Sequence, residues 1–175
     1  MSHDAAAAFN GLIDLASATL GGQTLACSDD FFAGMESMLQ PGRALFVPGK
    51  YTERGKWMDG WETRRRRSEG HDWAIVRLGA RGLLTRVEID TNHFKGNYPD
   101  RASVDGCFAP NAGNDVLQAA SWTPILPETK MSADKRHYFA GKQLQHAGPF
   151  SHVRLNMFPD GGISRLRVYG RLAVD

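Results

Sequence analysis

The strongest constraint on how this chain can fold lies near its C-terminus, where two alternating runs flank a turn. In Ser151-His152-Val153-Arg154-Leu155-Asn156-Met157-Phe158, the residues Val153, Leu155 and Met157 fall on one face and His152, Arg154 and Asn156 on the other. That is the period of a β-strand. Pro159-Asp160-Gly161-Gly162 follows, with glycines where a tight turn needs positive φ. Residues 164–170 alternate again and bury Leu166 and Val168. Residues 84–90 set Val87 and Ile89 against Arg86, Glu88 and Asp90. Further strands are expected at 24–27, at 73–78 (with a turn at 79–82 after it) and at 101–107. A short extended run at 122–126 is interrupted by Pro124 and ended by Pro127. A Gly/Asn/Ala-rich connection spans 108–120. One short amphipathic helix is expected where Ser28-Asp29-Asp30 could cap Phe31, Phe32, Met35, Met38 and Leu39, a pattern stopped by Pro41-Gly42. Short strands, frequent turns and one or two short helices imply an all-β protein, a jelly-roll β-sandwich.

A length of 175 residues fits one domain with a core of its own. Residues 1–11, alanine-rich to Ala8, read as a flexible N-terminus, and residues 12–175 as the folded unit. The net charge of +2, with acids and bases interspersed, does not favour nucleic acid. No apolar run reaches membrane-spanning length, and the N-terminus lacks signal-peptide character. Two cysteines, Cys27 and Cys107, make neither a disulfide framework nor a zinc knuckle, which suits a reducing, cytoplasmic setting.

Between Pro41 and Gly70 the chain reads as loop, and a loop this long in a compact domain is expected to be functional. It holds Trp57-Met58-Asp59-Gly60-Trp61-Glu62-Thr63 followed by four arginines, Arg64 to Arg67, and then Gly70-His71-Asp72-Trp73. Four adjacent cations repel one another unless something anionic sits nearby, so the run is either a solvated surface or a site. The flanking tryptophans and glycines favour a site. A second polar cluster leaves a strand end at Asp90-Thr91-Asn92-His93-Phe94-Lys95-Gly96-Asn97-Tyr98. Arg154, Arg165 and Arg167 on the last two strands could hold a carboxylate bidentately, or could form a charged ladder with neighbouring acids. His71, Asp72 and His93 could join as ligands of a divalent metal, although their spacing does not indicate one. No Gly-rich phosphate loop, nucleophile elbow or zinc pattern is present, and no cofactor is expected.

At Lys56–Arg65, Gly70–Trp73, Asp90–Asn97, Arg154–Gly162 and Arg165–Gly170 the sequence resembles the allantoicases. The resemblance runs from about Ile13 to Gly170. It implies a galactose-binding-type β-sandwich that hydrolyses allantoate to ureidoglycolate and urea in purine (allantoin) degradation. Family members carry two homologous repeats and this chain has the length of one, similar to the first. If the site lies between repeats, the chain must associate with another copy. The chemistry needs a carboxylate anchor, a proton for departing urea and a base for water. The resemblance thus assigns Glu62 or Asp59 to acid/base work and His71 and His93 as alternative proton carriers. Arg64 or Arg65 would take the substrate carboxylate, with Trp61, Asn97, Arg154, Asn156 and Arg165 lining the pocket. Two alternatives remain at this point: a non-catalytic module with Trp57 and Trp61 as stacking platforms, and a structural repeat that pairs with another sandwich subunit.

Overall fold

The computed structural model describes residues 11–174, so the segment expected to be flexible lies, apart from Gly11, outside the described residues. Among the described residues twelve strands and one short α-helix follow in order, with three 3-10 turns between them. They are β1 (Ile13–Asp14), β2 (Gln23–Cys27), β3 (Tyr51–Thr52), β4 (Gly55–Lys56), β5 (Trp61–Glu62), β6 (Asp72–Asp90), β7 (Arg101–Cys107), α1 (Asn114–Gln118), β8 (Thr123–Lys130), β9 (Arg136–Ala140), β10 (Phe150–Phe158), β11 (Gly162–Ile163) and β12 (Arg165–Leu172).

The organising strand is β6, whose 19 residues merge the two strands expected at 73–78 and 84–90. Gly79 and Gly82 do not reverse the chain there. They let another segment approach: a Cβ on Gly79 would lie 2.2 Å from the Leu20 carbonyl oxygen, and one on Gly82 would lie 2.4 Å from Leu15 Cδ1. The first half of β6 pairs with β2 and β10, and its second half with β12 and β9. Two antiparallel layers result, β2-β6-β10-β7-β8 and β9-β6-β12-β1, sharing β6. Their inner faces supply one core, with Val76, Val104, Val153, Leu155 and Met157 meeting Val87, Ile89, Leu166 and Val168. The expected jelly-roll sandwich is the fold.

Other expectations change in detail. The helix over 31–39 is reduced to a 3-10 turn at Met35–Leu39. The backbone N–H groups of Phe32 and Ala33 are spent on the Glu62 carbonyl, which holds that stretch extended and leaves both phenylalanines exposed. β8 runs past Pro124 and Pro127 to Lys130, which an edge strand tolerates because one row of its N–H groups has no ladder partner to lose. The polar faces of the last two long strands are covered rather than solvated. Arg165 and Arg167 are 3% and 8% exposed and His152 and Asn156 1% and 2%.

On the outer face of the second layer Arg167 sits in register with Glu88, its Nε 3.0 Å from Oε2, and Arg136 Nε lies 3.2 Å from Oε1. Arg154 likewise pairs with its register partner Asp105 at 3.0 Å. The charged-ladder alternative therefore describes these arginines. Arg167 Nη2 and Arg165 Nε also donate to the Gly42 carbonyl, at 2.6 and 3.1 Å, which straps residues 40–43 across the layer.

Candidate active site

The tryptophan-glycine motif is built into the sandwich by its own chemistry. Trp61 has no exposed surface and donates its indole N–H to the Asp29 carbonyl at 2.8 Å. Its ring offers no face to a ligand, which corrects the expectation of a binding platform. Gly60 is required by close approach, since a Cβ there would lie 2.6 Å from the Ile163 carbonyl oxygen and from Ser164 Cα. β5 is thereby trapped between the Ala33 bridge and β11, with Trp61 facing Ile163 and Glu62 facing Gly162. Thr63 and Gly161 close the end, the Thr63 N–H donating to the Gly161 carbonyl at 2.9 Å and the Gly161 N–H to Thr63 Oγ1 at 3.1 Å. Two motifs about a hundred residues apart in the sequence thus form one platform.

Glu62 projects from this platform into a cleft of about 310 Å³. The residue is 9% exposed, and Asn97 Nδ2 donates a short hydrogen bond to Oε2, while Oε1 has no partner among the described residues. Burial pushes the carboxyl above its ordinary range, against the opposing pull of Asn97 and the Lys56 ammonium. His93 lines the same cleft, its Nε2 3.2 Å from the Ala44 carbonyl and its ring stacked on Phe46 at 5.5 Å. A neutral ring that donates Nε2–H to that carbonyl keeps Nδ1 as an acceptor. His93 has φ 73°, a left-handed conformation held by Asp134, which accepts from the His93 backbone N–H and from Asn92 Nδ2, both at 2.8 Å. Buried Phe94 anchors the loop from beneath, its ring so close under Gly162 that a Cβ would lie 2.1 Å away. Phe32 and Met58 supply apolar wall, and Arg54, Lys56 and Lys95 supply three cations.

The remaining expected residues lie elsewhere or are already engaged. Asp59 grips Arg165 through two bonds of 2.9 Å and accepts from the Leu45 backbone N–H at 2.8 Å. Burial opposes its ionisation, but these donors outweigh it and hold the carboxyl below its usual range. Arg64 is tied to Asp29, its Nε 3.0 Å from Oδ1 and its backbone N–H 2.8 Å from Oδ2. Arg64 and the exposed Arg65 border a different hollow of about 420 Å³, together with Asp29 and Asp72. Of the other two arginines in the run Arg67 is exposed, whereas Arg66 is half-buried: Nη1 pairs with Asp72 at 3.1 Å and the backbone N–H donates to Asp160 at 2.8 Å. His71 Nε2 lies 3.1 Å from Asn156 Oδ1, and the Asn156 amide donates to Ser103 and Asp105. With Arg154 these make a second polar cluster on the outer face of the first layer.

The three residues weighed as metal ligands do not converge. His71 bonds Asn156, Asp72 bonds Ser28 and Arg66, and His93 bonds Ala44. Among the described residues no group of three or more His, Cys, Asp or Glu is placed to hold a metal ion. The basic trio of the cleft was missed in the sequence. Its signal was Thr52-Glu53-Arg54-Gly55, a turn sequence that sets Arg54 and Lys56 on the β3–β4 hairpin.

Comparison with known proteins fits this architecture. The allantoicase-repeat family model matches residues 13–173. A probable allantoicase of Pseudomonas paraeruginosa is 49% identical over 164 residues, covering 94% of this chain and 48% of the relative. A solved allantoicase structure superposes with a TM-score of 0.83 at 32% identity, over 95% of this chain and 50% of the other. A carbohydrate-binding module from Clostridium perfringens shares the fold alone, with a TM-score of 0.60 at 7% identity. The chain thus spans about half the length of the allantoicases it matches, and within that span the platform, the loop and the last hairpin are all present. It belongs to the allantoicase family, of which it comprises one repeat.

Proposed function

We propose that this repeat serves the hydrolysis of allantoate to ureidoglycolate and urea in purine breakdown, in the cytoplasm, with the Glu62 cleft as the reaction site. The observation that carries this reading is a buried carboxyl, biased toward its protonated form and oriented by an amide, at the wall of a basic cleft. The reaction breaks one C–N bond at the carbon that bears the carboxylate and both ureido groups, and forms a C–O bond to water. Protonated Glu62 delivers its proton to the departing ureido nitrogen. The resulting carboxylate takes back a proton from the attacking water, directly or relayed through His93 Nδ1, so that Glu62 is restored and the net change is addition of one water. Each transfer is worth about 10²–10⁴-fold. Asn97 keeps the Glu62 carboxyl in place, and Asp59 with Arg165 holds the 42–45 segment that presents Ala44 to His93.

The working form is an assembly with a second sandwich. Phe31, Phe32, Leu45, Phe46, Val47 and Tyr51, each at least 38% exposed, gather on the segments that border the cleft, and exposed apolar groups in such numbers mark a contact surface. The test is urea release from allantoate by the purified protein, measured beside its mass in solution. Urea release that is lost in Glu62→Gln supports the reading, and none above background from an assembled, folded protein refutes it.

A further inference from the structure

The sequence directs attention to Arg64 and Arg65 for the substrate carboxylate, yet those side chains border a different hollow. Three of the four arginines expected to bind substrate are matched to acids, Arg64 to Asp29, Arg154 to Asp105 and Arg165 to Asp59, and the fourth, Arg65, is exposed on that other hollow. The cleft that holds Glu62 is lined instead by Arg54, Lys56 and Lys95, none of which has a carboxylate within ion-pair distance among the described residues. Two of them are held by aromatic rings. Arg54 lies 5.5 Å from the Phe31 ring centroid and donates Nη1 to the Phe31 carbonyl at 3.1 Å, and Lys56 Nζ lies 4.7 Å above the Phe46 ring. A cation over a ring keeps its charge while its motion is restricted. One edge of the Arg54 guanidinium is engaged, which leaves the rest of the fork for a planar anion. Three cations share the cleft with one carboxyl, and an anionic ligand relieves their mutual repulsion.

Resting on the reading of this cleft as the reaction site, we propose that Arg54 and Lys56 on the β3–β4 hairpin, with Lys95 on the neighbouring loop, bind the substrate carboxylate. They make the cleft selective for small ureido monocarboxylates over neutral ureides. Because the carboxylate and both ureido groups of allantoate share one carbon, a carboxylate on this basic wall brings the scissile C–N bond toward Glu62 and Asn97. A cyclic ureide without a free carboxylate has nothing for the wall to hold and is rejected. The product ureidoglycolate keeps its carboxylate and competes with substrate, whereas urea does not.

The probe is N-carbamoylglycine, a stable carboxylate with one ureido group, compared by calorimetry with its neutral amide. The proteins are the unaltered chain, Arg54→Gln, Lys56→Gln and, as a control away from the cleft, Arg67→Gln. The unaltered chain and the control bind the acid at least about tenfold more tightly than the amide, the scale of a charged hydrogen bond. In Arg54→Gln and Lys56→Gln that preference falls about tenfold, binding of the amide is unchanged, and KM for allantoate rises with kcat retained. Equal affinity for acid and amide, no binding of the acid, or an unchanged preference in both cleft variants overturns the proposal. A protein that binds the acid through Arg54 but releases no urea leaves this inference standing and removes the catalytic reading. A protein that releases urea with KM unaltered in both variants does the reverse.

Discussion

Replacing Asp59 with asparagine separates a structural from a catalytic role for the acid at the centre of the tryptophan motif. The side chains of Arg165 and Asp59 are 4% and 12% exposed, and the pair is joined by two bonds of 2.9 Å. Asparagine keeps the shape and can still accept from Leu45, but it leaves the guanidinium without a counter-charge among carbonyls of Gly42, Asp59 and Ser164. Removing one partner of a buried ion pair costs about 3–5 kcal/mol. The low end is expected here, because those carbonyls still accept from the arginine. A loss of about 3 kcal/mol lowers the Tm of a domain this size by roughly 6–12 °C. Urea denaturation at neutral pH should show the midpoint falling with m unchanged. Asp59 is held below its usual range, so its contribution is fully present above the unfolded value of about 3.9 and is lost as pH falls through the folded one. The gap between the two proteins should therefore narrow in acid. Below its unfolding transition Asp59→Asn should retain kcat within a few-fold, whereas a proton-transferring acid would lose about 10²-fold or more. A stability change under about 1 kcal/mol, or a gap that widens in acid, refutes the argument.

Glu62→Gln should abolish urea release and, unusually for a buried site, raise stability at neutral and alkaline pH. The raised carboxyl contributes stability fully only below its unfolded value of about 4.3 and loses it as pH rises through the folded value, so the Tm advantage of Gln should open on going from acid to neutral buffer. Urea release that depends on protonated Glu62 should likewise decline as pH rises through that value, and a rate that climbs without limit would contradict the assignment. Gly60→Ala forces a Cβ to within 2.6 Å of the backbone of Ile163 and Ser164, and should cost about 1–3 kcal/mol or more in chemical denaturation. Arg66→Ala should cost about 1–2 kcal/mol through Asp72, while Arg67→Ala stays within about 0.5 kcal/mol, so that matched thermal melts separate two neighbours of identical chemistry. Tyr51→Glu with Phe46→Glu should reduce the mass in solution without loss of circular dichroism, if the exposed rim carries the assembly.

Alternation and turn chemistry determine much of this protein without any tertiary information. Val153, Leu155 and Met157 face the core because a period of two admits no other arrangement on a strand, and Pro159–Gly162 turns as its residues require. The run from Trp57 to Glu62 and the loop from Asp90 to Asn97 are equally legible as places where chemistry gathers, and they do meet, at Glu62 and Asn97. What local pattern could not decide is which charges remain unmatched. Arg54 and Arg165 are the same residue type, and only the fold puts Asp59 within ion-pair distance of one of them and leaves the other, among the described residues, without such a partner. The same holds for Trp61, whose ring could serve a core or a ligand until Asp29 and Ile163 enclose it, and for Gly79 and Gly82, which suit a turn as readily as the close passage of Leu15 and Leu20. Hydrophobic periodicity is a property of neighbouring residues and is carried by the sequence. The pairing of charges depends on desolvation and distance between segments a hundred residues apart, and only the packed sandwich sets those.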